Sequence, residues 1–207
     1  MSGAQSVVHV TVEVGQKKTF ASALDWPGWA RSGKDEAAAI ETLLDYAERY
    51  RVVTDRAGIE FEPGEIHVVE RLAGSASTDF GAPGAIAERE LRPVSAPEAE
   101  RMASLVVAAW HVFDDVVSGS PAALRKGPRG GGRDRDKMVE HVVDAEQSYA
   151  RKLGLDKPKQ RPDLRADIVA AIRGRSIETA WPVRYAARRI AWHVLDHAWE
   201  IEDRRER

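Results

Sequence analysis

Ile190-Ala191-Trp192-His193-Val194-Leu195-Asp196-His197-Ala198-Trp199-Glu200-Ile201 decides how the second half of this chain folds. Its period is helical: Ile190, Val194, His197 and Ile201 fall on one apolar stripe, with His193 on the border. Side chains four apart on a helix lie one turn above each other. His193 and His197 therefore share a face and can converge on one cation. Val194 stands where the zinc-peptidase pattern His-Glu-x-x-His has its Glu, so a mechanism using that Glu as base is unsupported. The pair faces the core or its edge, where a charged imidazole is costly and a neutral, metal-bound one is not.

A third ligand has to come from another helix. His141 lies on the edge of the stripe Met138, Val142, Ala145 and Tyr149; its rival, His111, lies in the apolar run Leu105–Phe113. Three imidazoles with open positions suit zinc, nickel or iron, and imidazole alone does not choose among them. Asp144, Glu146, Asp196 and Glu200 are candidate acceptors or bases beside such a site. Glu146 falls about 140° around the helix from His141, which argues against pairing those two. Trp110, Trp192 and Trp199 are candidate pocket walls, but read first as core packing, since Trp is largely buried on average.

Working outward, the periodicity predicts helices over Ala96–Val117, Asp136–Leu153, Pro162–Arg173 and Pro182–Arg204, with Pro97 in a first turn and Gly154 and Gly174 as stops. Ser118–Arg135 reads as a loop. Its Arg125, Lys126, Arg129, Arg133 and Arg135 surround Gly130-Gly131-Gly132. The glycines point to a solvent-exposed loop or a gate over the site rather than a nucleic-acid contact. Ahead of the helices, Val8, Val10, Val12 and Val14 alternate with polar residues, the pattern of a strand with one buried face. Gly15-Gln16-Lys17 reads as a turn, Lys18–Leu24 as a second strand, Ala30–Ser32 as a short third, Gly33–Arg51 as a helix and Glu65–Leu72 as a further strand. His9 and His67 sit in these strands as surface or packing residues. Ala73–Pro97, rich in Gly, Pro, Ser and Ala, reads as a linker or lid with a short helix at Ala85–Glu90. The division expected is an α+β module over 1–74, a linker over 75–95 and a helical bundle over 96–207.

The 207 residues suit one large or two small domains. A net charge of −2 leaves no global basic excess for nucleic acid or anionic membranes. The absence of Cys excludes disulfides, thiolate metal sites and a protein-borne thiol nucleophile. Met1–Val14 has no leader pattern and no apolar run approaches the roughly 20 residues of a membrane span, so a cytoplasmic protein is expected.

Lys137-Met138-Val139-Glu140-His141-Val142-Val143-Asp144-Ala145-Glu146, together with Ala191–Glu202, resembles the DinB-like metal-dependent superfamily. The resemblance covers Ala96 to Arg207. It implies a four-helix bundle whose metal takes one His from the second helix and a His-x-x-x-His pair from the last, positions matched by His141, His193 and His197. It further implies a thiol-dependent transferase or isomerase, or a hydrolase, acting on a small-molecule substrate, with the metal activating a low-molecular-weight thiol or water, and Asp196, Glu200 and Tyr149 shaping the site as catalytic candidates. Bundles of this kind often dimerise, so a homodimer is expected. The His141–His193 gap is short for the family, which keeps His111 open as the first ligand. Phe20–Ile40, through Leu24-Asp25-Trp26-Pro27-Gly28-Trp29 and Ser32–Ala37, resembles the HicB-like antitoxin fold, a small sheet with one helix. No separate DNA-binding segment accompanies it, so the module reads as a structural or dimerisation unit. The competing reading is a non-catalytic interaction or toxin–antitoxin-type regulatory protein with the bundle as scaffold.

Overall fold

The structure, a computed structural model, describes residues 6–127, 131–155, 161–175 and 179–205. The chain is α+β. Strands β1 (Val7–Val14), β2 (Thr19–Ala23), β3 (Ala30–Gly33) and β4 (Glu65–Ala73) form one sheet in the order β3-β2-β1-β4. β1–β2 and β2–β3 are antiparallel, with Val14 opposite Thr19 across a tight turn closed by Gly15 N–H to the Lys18 carbonyl at 2.9 Å. β4 runs parallel to β1, which requires a crossover. Helices α1 (Glu36–Asp45) and α2 (Ala47–Ala57) supply it.

Two local expectations change. The single helix over Gly33–Arg51 is two helices. Asp35 caps the first through Ala38 N–H, and Tyr46 interrupts the run with φ −89° and ψ 3°. The Tyr46 ring lies 4.1 Å from the Arg31 guanidinium and packs on Trp199, so long-range contacts hold the break. β1 is also not one-sided. Val8, Val10 and Val12 are buried as the alternation requires, but Thr11 and Glu13 on the other face are buried too, and Val14 is 47% exposed. The strand is central, and the register shifts between Val10 and Thr11 where it meets β4.

What covers Glu13 is the stretch read as a linker. It contains α3 (Ala76–Phe80) and a 3-10 turn at Glu88–Leu91, in place of the helix expected at Ala85–Glu90. The Glu13 carboxylate accepts from the Thr78 hydroxyl, from Gly84 N–H at 3.1 Å and from Ala85 N–H at 2.9 Å. The segment is thereby clamped to the sheet rather than free.

The remaining helices are α4 (Ala96–Ser118), α5 (Arg135–Lys152), α6 (Arg161–Gly174) and α7 (Val183–Arg204). α4 and α5 each pack on both α6 and α7, which closes a four-helix arrangement, and α2 packs on α4. One apolar cluster runs from Val10, Trp29 and Tyr50 through Val106 and Phe113 to Ile190 and Leu195. Gly28, at φ +98°, allows the Trp26–Trp29 turn to seat on α7: a Cβ there would fall 2.7 Å from Leu195 Cδ1 and 3.1 Å from Ala191 Cβ. Among the described residues no helix is long and apolar enough to cross a membrane.

α4 starts on a capping box. Ser95 Oγ accepts from Glu98 N–H, and Glu98 accepts from Ser95 N–H at 2.9 Å and from Arg184 at 2.9 Å. Those hydrogen bonds, the Ser95 backbone's first, hold the Glu98 carboxyl down to about 2, against 4.5 for a free group. In the unfolded chain Glu98 takes a proton near 4.5; in the fold it resists until about 2. Its contribution is therefore present above 4.5 and lost as pH falls through that window. Urea midpoints should fall less steeply between those pH values for Glu98→Gln than for the wild type; equal slopes would assign the acid sensitivity elsewhere.

Candidate metal centre

α7 is amphipathic on the large scale, yet both its histidines are nearly enclosed: His193 is 7% and His197 9% exposed. α5 lies alongside and presents half-buried His141 toward them. The Nε2 atoms of His141 and His193 are 3.2 Å apart. Ring centroids are 5.1 Å apart for His141–His193 and for His141–His197, and 4.7 Å for His193–His197. One nitrogen from each ring lies within 4.8 Å of the other two. Tetrahedral coordination at about 2.0–2.1 Å places imidazole nitrogens about 3.3 Å apart. The closest pair already has that spacing, and the third ring needs a displacement of no more than side-chain size. A 3.2 Å separation also suits a hydrogen bond between neutral imidazoles, so metal content is the deciding measurement.

The protonation states fit a donor set. Burial, then the neighbouring His197 and Arg189, pushes His193 well below the ordinary imidazole range. Burial, then His197 and Arg133, lowers His141 in the same sense. Both rings are thus neutral at pH 7 with lone pairs to offer. His197 Nδ1 points to Glu200 Oε2 at 3.4 Å, and Glu200 Oε1 accepts from Arg204 at 2.7 Å. The hydrogen bond from His197, with help from Arg204, holds the Glu200 carboxyl below its usual range. An acceptor behind a ligating imidazole fixes its tautomer and orientation. Glu200 is placed to do that for His197.

The histidines line a cavity of about 640 Å³, within the size range of small-molecule sites. Its walls include Tyr149 and Ala145 from α5, Arg189, Trp192 and Asp196 from α7, Lys18 from the β1–β2 turn and Phe80 from α3. Tyr149 packs edge-on to His193 at 5.6 Å, and burial raises its phenol, so it is a proton donor rather than a base. Asp196 lines the wall and is held by Arg31 of β3 at 2.8 Å.

Other sequence candidates lie elsewhere. His111 is exposed on α4. His9 bonds Asp25 at 2.7 Å and His67 pairs with Glu65. Glu146 is buried against Arg165, in a group with Asp114, and not against His141. Asp144 is exposed and shares a shallow recess with His141. Of the three tryptophans, Trp192 lines the cavity; Trp110 lies under Arg165, and Trp199 packs on Tyr46. Residues 128–130 of the glycine-rich loop lie outside the described residues; Arg133 beyond them reaches the cavity. Lys18, Phe80 and Arg189 escaped the sequence reading as site residues, and Arg133 entered it only as one of the cations of the glycine-rich loop. Arg189 carried a local signal of its own, lying one helical turn before His193.

The chain matches no protein-family model, no curated protein and no solved structure.

Proposed function

We infer that this chain is a metal-dependent enzyme of the DinB-like kind, holding one divalent cation on His141, His193 and His197 and acting on a small molecule in the cavity above them. The carrying observation is the convergence of three imidazole nitrogens from two helices, within 4.8 Å of one another, in the wall of an open cavity. The resemblance of the stretches around His141 and His193 to that superfamily supports the same reading. A bound cation supplies Lewis-acid activation of a thiol or water at an open position. The thiol belongs to a low-molecular-weight co-substrate, since the chain has no Cys.

The protein's own groups divide the remaining work. His141 and His193 stay neutral through burial and offer lone pairs. Glu200, braced by Arg204, orients His197. Asp196, held by Arg31 in the cavity wall, is the carboxylate placed to accept a proton from substrate. Tyr149 keeps its proton and is placed to donate a hydrogen bond into the same space. Transferase, isomerase and hydrolase activities all fit this arrangement; a non-catalytic scaffold does not need it.

The test is elemental analysis of the purified, untagged chain. About one equivalent of zinc, nickel or iron per chain is expected; trace metal after incubation with each would leave a helical scaffold. Glu200→Ala should weaken affinity for the metal about 10–100-fold with one site per chain retained. Unchanged affinity would remove Glu200 from the site.

A further inference from the structure

Three cationic side chains face the cavity over the histidines: Lys18, Arg133 and Arg189. Among the described residues none of them has a carboxylate within ion-pair distance, whereas the neighbouring arginines do. Arg31 is held by Asp196, Arg204 by Glu200 and Arg188 by Glu90. The cavity's one carboxylate, Asp196, is already matched by Arg31. The space therefore carries a positive excess before any metal is added, and a divalent cation would increase it. Low-dielectric walls strengthen such a field and draw anions.

Arg189 is also set in place. Its guanidinium lies 4.7 Å from the Trp192 ring and 5.8 Å from the Tyr149 ring, so aromatic groups flank it. One N–H reaches the Pro83 carbonyl at 3.3 Å. A guanidinium has five N–H donors in its plane, so others remain for a ligand. An Arg held by its neighbours is suited to planar, bidentate recognition of carboxylate and phosphate. On the rim, Phe80 of α3 is 88% exposed and offers an apolar ring beside the cations.

The geometry points to a small organic anion as the ligand of this cavity: a carboxylate or phosphate bound by Arg189 with Lys18 and Arg133, carried on an apolar body that packs on Phe80. The assignment rests on the reading of the histidine cavity as a substrate site, and names the substrate's class. The anionic group sits between the cations and the histidines, which places the rest of the molecule along the wall formed by α3.

The experiment is calorimetric titration of metal-free and zinc-loaded protein at low salt with benzoate, phenyl phosphate, inorganic phosphate and the neutral benzamide. Benzoate or phenyl phosphate should bind both forms, and the zinc-loaded form more tightly; whichever of the two binds better identifies the anion. Benzamide should not bind measurably. Arg189→Gln should weaken the anion about tenfold or more in both forms, and the surface double variant Lys18→Gln with Arg133→Gln should do the same without touching the helix core. Phe80→Ser should weaken benzoate and leave inorganic phosphate unchanged. Zinc stoichiometry should stay the same in every variant. Equal binding of benzamide and benzoate, or wild-type affinity in both cation variants, overturns the assignment while a full complement of zinc keeps the metal reading. Anion binding lost in the cation variants of a protein that takes up no zinc supports the assignment and sinks the metal reading instead.

Discussion

His193→Ala combined with His197→Ala takes bound divalent metal from about one equivalent per chain to background. Two of three donors go, and the half-buried imidazole of His141 is what remains of the cluster. The variant should still fold. Both rings are buried, and His193 is held neutral, so truncation leaves space open to the cavity rather than a stranded charge. Thermal melts of the metal-free proteins, followed by circular dichroism, should therefore lie close together, while metal raises the melting temperature of the wild type alone. His111→Ala is the control: the ring is exposed on α4, and metal content should match wild type. His141→Ala should lose metal like the double variant. Equal, substoichiometric metal in wild type and double variant would end the enzyme reading.

Glu90→Ala should cost about 3–5 kcal/mol of stability, because it strands a buried charge. Arg188 and Glu90 are each 3% exposed, joined by bonds of 2.6 and 3.0 Å. Arg188 also donates to the Ala85 carbonyl at 2.9 Å, and Tyr185 donates to the Gly84 carbonyl at 3.1 Å. Removing the carboxylate leaves the guanidinium enclosed with one backbone acceptor. Replacing both partners, Glu90→Leu with Arg188→Met, removes that mismatch and should recover most of the loss. Urea unfolding of the single and double variants measures it. A single-variant loss below about 1 kcal/mol is the value of a solvent-exposed pair and would mean that the segment does not hold its buried position. The consequence reaches the site: the same segment carries Phe80, Gly81 and Ala82, which wall the cavity.

Much of the architecture was legible locally. A helix announces itself through a 3.6-residue period and its caps, and the Ala96, Asp136, Pro162 and Pro182 starts each fall within a residue or so of α4, α5, α6 and α7. The first strand was legible at period two through Val8, Val10 and Val12, while β2 is buried on both faces and showed no such alternation. The His193/His197 pair was readable because a four-residue step on a helix is a geometric fact that needs no other element.

What the sequence determined by itself was therefore the kind of each element and the sharing of a face within it. Tertiary structure decided the rest, since packing partners are chosen across the chain. That α5 and not α4 brings a histidine to the pair depends on which faces of four helices meet. That Glu13 is buried depends on a segment some seventy residues later folding over it. The Gly- and Pro-rich stretch between Ala73 and Pro97 has the local chemistry of a linker, yet Glu13 and Arg188 supply the buried charges that pin it. Lys18, Phe80, Arg133 and Arg189 come from four separate segments, and the field they create exists only where those segments are brought around one cavity.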